Sequence, residues 1–179
     1  PGQLPNARRR LKRLAANGLL VRLTVQSRPL PAIEKPLASW QPNQAAPDFG
    51  ATAYQCRQRW SQIPVRPCSA WIVSEQGAQA FGGVRRGDLK LATQATHDLG
   101  VAETFLRFRE TRPEEATLWK GEGIISPLRR EKKVPDAIIA GDFIWPPRLV
   151  VEFAGSYSRE RIQVFHWFCE KEQLAYELW

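Results

Sequence analysis

The run Leu149-Val150-Val151-Glu152-Phe153-Ala154 places one carboxylate inside an apolar, strand-forming segment. Burying an unpaired carboxylate is costly, so any fold that makes this run a core strand must surround Glu152 with groups that neutralise or use it. A second acid suits that role. Asp136 stands in Val134-Pro135-Asp136-Ala137-Ile138-Ile139-Ala140, sixteen residues before Glu152, with turn signals at Gly141-Asp142 and Pro146-Pro147 between them. The spacing fits two neighbouring strands of a hairpin.

The periodicity around this pair predicts a fixed order of elements. A helix is expected over Leu91–Arg109, kinked near Gly100, with Leu99, Ala102, Phe105 and Leu106 on one face. Strands follow at Ala116–Ile125, Val134–Ala140 and Arg148–Ala154, then a helix over Ser158–Lys171 with Ser158 or Ser156 as its N-cap. Leu174–Trp179 closes as a short strand. The fold class is therefore mixed α/β, in the order αβββαβ.

That order, with Pro135-Asp136 on the second strand and Val150-Val151-Glu152 on the third, resembles the PD-(D/E)XK core of restriction endonucleases. The resemblance implies that Asp136 and Glu152 hold Mg²⁺ or Mn²⁺ beside a scissile phosphate, with Glu103 on the first helix as an additional acid. Oxygen ligands on adjacent strands suit such a hard cation, and a lysine two residues after the second acid would orient the attacking water. Here that position is Ala154, and no lysine occurs between Lys133 and Lys171. Arg159 and Arg161 are the expected cationic substitutes. Arginine stays protonated and supplies charge without exchanging a proton, so the expected site is degenerate, with slow or absent cleavage.

The charge balance points to a partner. The chain carries a net +8, and residues 1–60 hold ten Lys/Arg against two acids, Glu34 and Asp48, while residues 61–179 hold sixteen of each. Such asymmetry predicts a polyanion-binding segment joined to a neutral body. Pro5–Asn17 reads as a basic helix with Leu11 and Leu14 on its apolar stripe and Gly18 in the left-handed position after its end. Arg8, Arg9, Arg10, Lys12 and Arg13 are its candidate DNA contacts. Leu19–Val25 and Ala70–Val73 read as strands, with Arg22 on the first. Between them, residues 27–68 carry seven prolines and one short helix, Ala51–Gln62, which offers Arg57, Arg59 and Trp60.

The basic helix and its strand resemble the recognition helix and first wing strand of a winged helix-turn-helix, with Ser69–Gly82 as the returning strand. The sequence starts at Pro1 and holds no methionine, so the two helices that precede a recognition helix are expected upstream. The expected domains are residues 1–84, a winged helix with a proline-rich insertion at about 27–68, and residues 85–179, nuclease-like. With Thr96-His97-Asp98-Leu99 opening the first helix of the second domain, the whole resembles the bacterial replication-relaxation family. This resemblance implies a cytoplasmic, plasmid- or mobile-element-borne protein that binds double-stranded DNA, within an assembly of other proteins or as a homodimer. Its expected role is accessory or regulatory, the alternatives being a Mg²⁺-dependent endonuclease or nickase and a dimeric repressor with Trp145, Trp167 and Trp179 on its dimer face. His97 and His166 are expected to be structural. Three cysteines without CxxC spacing argue against a disulfide framework, no apolar run is long enough for a membrane span, and no phosphate-binding glycine loop precedes a helix.

Overall fold

A computed structural model describes residues 3–83, 92–130 and 132–179. It is mixed α/β and divides into two compact units, each built from two stretches of chain. Unit 1 comprises Pro1–Ser27 and Val65–Ala95, and unit 2 comprises Arg28–Pro64 and Thr96–Trp179. The expected boundary at residue 85, with Gly87 and Leu91 beside it, lies outside the described residues.

Unit 1 begins with α1 (Gln3–Ala16), which ends as its sequence dictates. Gly18 takes a φ of +73°, the amide of Leu19 donates to the carbonyl of Leu14 at 2.9 Å, and that of Gly18 donates to Ala15 at 3.0 Å. These two bonds are the Schellman pair. Strand β1 (Leu20–Ser27) then pairs antiparallel with β3 (Arg66–Val73), from Leu20 opposite Val73 to Ser27 opposite Arg66. Short helix α3 (Glu75–Ala80) is capped by Ser74, whose Oγ accepts from the amide of Gly77 at 2.8 Å.

The proline-rich stretch between these strands belongs to unit 2. Its β2 (Ala38–Trp40) pairs antiparallel with the last strand, β7 (Tyr176–Leu178), and its α2 (Phe49–Trp60) packs on α7 (Arg159–Lys171). The sequence expectation left this stretch as an insertion in the first domain. Its few strand- and helix-forming residues instead supply an edge strand and a cover for unit 2, and Trp60 packs, buried, against the Phe153 ring.

After α4 (Ala92–Thr111) and α5 (Pro113–Thr117) come β4 (Trp119–Gly121), β5 (Ala137–Ile139) and β6 (Leu149–Glu152), with α6 (Glu122–Ile125) and a single 3₁₀ turn between β4 and β5. The expected strand over Ala116–Ile125 is thus only three residues long, ended by the turn of α6, whose first amide donates to the carbonyl of Asp136 at 2.9 Å. The sheet order is β2-β7-β6-β5-β4, antiparallel except for the β6–β7 pair, which α7 connects. Ile138 and Val150 face the core formed with α2 and α7, whereas Ala137, Ile139 and Val151 join Phe108 of α4 in a second core, the alternation a pleated strand imposes. The α7 N-cap is Ser158, as expected, accepting from Arg161.

Gly100 lies inside the uninterrupted helix α4 and marks a close approach. A Cβ at this position of α4 would overlap the ring of Phe153, which is fully buried and cannot retreat. Gly100→Ala is expected to destabilise the protein by about 2 kcal/mol through overpacking. Phe153→Leu should recover part of that loss in the double variant, as read by chemical denaturation; additive losses would show that the ring does not set the requirement.

Candidate active site

Asp136 and Glu152 come together at one end of the sheet. Asp136 immediately precedes β5 and Glu152 ends β6, and their strands pair with Ala137 opposite Val151. The Oδ2 of Asp136 accepts a hydrogen bond from the amide of Phe153 at 2.7 Å, across the two strands. Glu152 is 3% exposed. Its Oε1 accepts from Lys133 Nζ at 3.0 Å and from the Tyr157 hydroxyl at 2.9 Å, while its Oε2 is buried with no hydrogen-bond partner among the described residues. Burial and the charge of Asp136 raise the Glu152 pKa, against the lowering effect of Lys133.

Lys133 is the cation that the sequence reading missed. The resemblance places that cation two residues after Glu152 or on the following helix; it comes instead from three residues before Asp136. Its backbone is held as well: buried Arg129 donates from Nε to the carbonyl of Lys133 at 3.0 Å, forms a paired bond to Glu172 at 2.8 and 3.1 Å, and lies 3.6 Å from the centre of the Trp145 ring. The only sequence signal was position, since Lys133 is the last lysine before the strand that follows Asp136. Arg161 acts one step removed, donating to the Tyr157 hydroxyl at 3.0 Å and stacking 3.8 Å from its ring centre. Burial first, then Glu152, pushes the Tyr157 hydroxyl well above its ordinary pKa, so it remains a donor. Arg159 is exposed at the start of α7. Glu103 lies on α4 and does not join the pair; among the described residues, no three His, Cys, Asp or Glu side chains gather as a metal centre.

His97, expected to be structural, reaches the site from α4. Its Nε2 lies 3.2 Å from Asp136 Oδ2 and its Nδ1 lies 3.5 Å from Asp98. Hydrogen bonds to Asp136 and then Asp98 push its pKa up to about 10. His166 is a packing residue, as expected, buried against Trp40, Phe49 and Tyr176.

The donor chemistry fits a hard divalent cation. Two carboxylates repel each other across adjacent strands, and one has a buried oxygen without a donor, which is the condition a cation relieves. Asp136 and Glu152 are the residues that would hold it.

The candidate DNA contacts divide between the units. Arg8, Arg9, Arg10, Lys12 and Arg13 are exposed on α1, and Arg22 is exposed on β1, where it donates to Ser69 at 2.8 Å. Arg57 and Arg59 lie on α2 in unit 2, the first exposed and the second half-buried. Unit 1 holds ten Lys/Arg against two acids, Glu75 and Asp88, and unit 2 holds sixteen of each. All the excess charge therefore belongs to one folded unit. No helix among the described residues is long and apolar enough to cross a membrane. The three cysteines are free. The chain matches no family model, no curated protein and no solved structure.

The raised pKa of His97 has a definite sign. The folded state holds this proton more tightly than the unfolded chain does, so the stabilisation is complete below about pH 6.5 and is lost as pH rises towards 10. With metal chelated, the stability difference between the native chain and His97→Gln is expected to shrink progressively from pH 6.5 to 10 in denaturant titrations. A difference independent of pH would exclude the charged pair.

Proposed function

We propose that the chain is a double-stranded DNA-binding protein whose second unit carries a metal-dependent phosphodiester-cleaving site made of Asp136, Glu152 and Lys133. The carrying observation is the buried Glu152, shared by Lys133 and Tyr157 on one oxygen and left without a donor on the other, next to Asp136. The expectation of a degenerate site rested on Ala154 in place of lysine; Lys133 supplies a proton-exchanging cation by another route. Bound Mg²⁺ or Mn²⁺ would supply Lewis-acid and water-activating chemistry. In this reading Lys133 stabilises charge at the phosphate and orients the attacking water, Tyr157 fixes the Glu152 rotamer, and His97 and the Phe153 amide fix Asp136.

Unit 1 would deliver the DNA. Its +8 charge, the exposed α1 cations and the β1–β3 ribbon support the resemblance to a winged helix, and the αβββαβ order of unit 2 supports the PD-(D/E)XK resemblance. The replication-relaxation reading, a bacterial plasmid or mobile-element protein, rests on both. One observation favours the accessory, non-cleaving role: His97 and Lys133 already balance the two carboxylates without a metal. The repressor alternative has less support, because Trp179 is buried, Trp145 lies under Arg129 and only Trp167 of the three is exposed.

Plasmid nicking with Mn²⁺ separates these roles. The native chain is expected to nick, Asp136→Ala to lose activity by about 100-fold or more, and Lys133→Met to lose roughly as much, the scale for removing one group that stabilises developing charge. Binding without nicking by the native chain would establish the accessory role.

The α1 cations should set affinity. Arg9→Ala with Lys12→Ala is expected to weaken duplex binding several-fold and to make the log K against log salt slope shallower by about one to two units. An unchanged slope would remove α1 from the interface.

A further inference from the structure

Among the described residues, Arg59 is an arginine without an ion-pair or hydrogen-bond partner. Its Nη1 is buried and makes no hydrogen bond, and among the described residues its guanidinium forms no ion pair. The position is built rather than accidental. On α2 it stands between the buried residues Cys56 and Trp60, and it opens onto a cavity of about 400 Å³ that it shares with Gln55, Glu34 and Lys35. The opposite wall is the loop over residues 32–37, pinned at both ends. Arg107 Nε donates to the carbonyl of buried Ile33 at 2.8 Å, and the Leu37 amide donates to the carbonyl of Leu178 at 2.7 Å.

The buried Nη1 has no accessible surface for a ligand, so the half-buried guanidinium offers the cavity its remaining N–H donors, none of which is hydrogen-bonded among the described residues. Unit 2 as a whole is neutral, so this charge is a local feature and not the fringe of a basic field. The ligand class follows from the balance of charge. Arg59 and Lys35 against Glu34 leave one net positive charge, the complement of a monoanion. The planar fork of arginine matches two oxygens of a phosphate, and Gln55 adds neutral amide donors.

We infer that the Arg59–Lys35 cavity is a phosphodiester-binding site of unit 2, separate from the carboxylate pair and from the basic helix α1. Its natural ligand, a phosphate of the nucleic-acid backbone, rests on the DNA-binding reading above; the chemistry of the cavity does not.

The test uses the full chain with metal chelated, so it is independent of cleavage. Dimethyl phosphate, inorganic phosphate and a short DNA duplex are each titrated while the Arg59 Nε–Hε resonance is followed by NMR, and duplex affinity is measured against salt for the native chain and Arg59→Gln. Dimethyl phosphate and duplex should both move the resonance, and inorganic phosphate should act more weakly than the diester. Arg59→Gln should lower duplex affinity about three- to tenfold and make the salt slope shallower by about one unit. Should Arg59→Gln fail to fold, Arg59→Lys, which keeps the charge and loses the fork, and Lys35→Gln are each expected to weaken dimethyl phosphate binding. A resonance indifferent to all three probes, or native duplex affinity and slope in a folded Arg59→Gln, would overturn the proposal. Tighter binding of inorganic phosphate than of dimethyl phosphate would overturn the diester assignment. If the native chain binds no duplex but dimethyl phosphate still saturates Arg59, the cavity stands and the DNA-binding reading falls.

Discussion

A carboxylate buried at the end of a core strand must be neutralised from close by, and in unit 2 the neighbouring elements converge on doing so. Lys133 reaches Glu152 from the segment before β5 and Tyr157 reaches it from the loop before α7. Arg129, itself buried and paired with Glu172, holds the backbone of Lys133. A purely structural core would place valine or leucine at position 152, since replacing buried ions by well-packed apolar residues is often neutral or stabilising. Retaining an acid whose second oxygen has no donor is the kind of local violation that proteins keep at functional sites.

The same region depends on chain from far away in sequence. Residues 28–64 leave unit 1 between two strands that pair with each other, contribute β2 and α2 to unit 2, and return. Arg28 marks the entry: its amide donates to Thr96 Oγ1 at 2.9 Å and its guanidinium donates to the carbonyl of Trp60 at 3.0 Å. Trp60 packs on Phe153, whose amide holds Asp136. Unit 2 is therefore not a C-terminal domain that residues 96–179 form unaided; its sheet edge and the helix covering α7 come from the stretch that looks, by composition, like a linker.

Local signals carried most of what was legible. The Gly18 stop and the Ser158 cap depend on neighbours within a few residues, and each appears where expected. Glu152 was legible as a grouped acid because its cost follows from its flanking residues alone. Lys133, His97 and Tyr157 were not, because their roles follow from tertiary placement: a lysine reaches its acid from a different segment, and a histidine at a helix start meets an aspartate about forty residues on. Three-residue strands such as β2 and β4 are equally unreadable, since pairing with β7 and β5 defines them more than any propensity of Ala38-Ser39-Trp40 or Trp119-Lys120-Gly121.

Under the proposed DNA-binding function, charge sorting gives the two units distinct physical tasks. A unit with ten cations against two acids attracts any polyanion over a Debye length and carries little sequence information in doing so. A neutral unit cannot add to that field, and whatever it recognises must be recognised at contact range, where Lys133 is held by the Glu152 carboxylate and Arg161 by the ring and hydroxyl of Tyr157. Long-range capture and short-range chemistry then make different demands on side chains. The α1 cations are exposed and replaceable by one another, because only their summed charge matters at distance. Lys133 and Arg161 are held individually, by a carboxylate and a tyrosine, and at contact range a displacement of an ångström decides whether a ligand atom is bound.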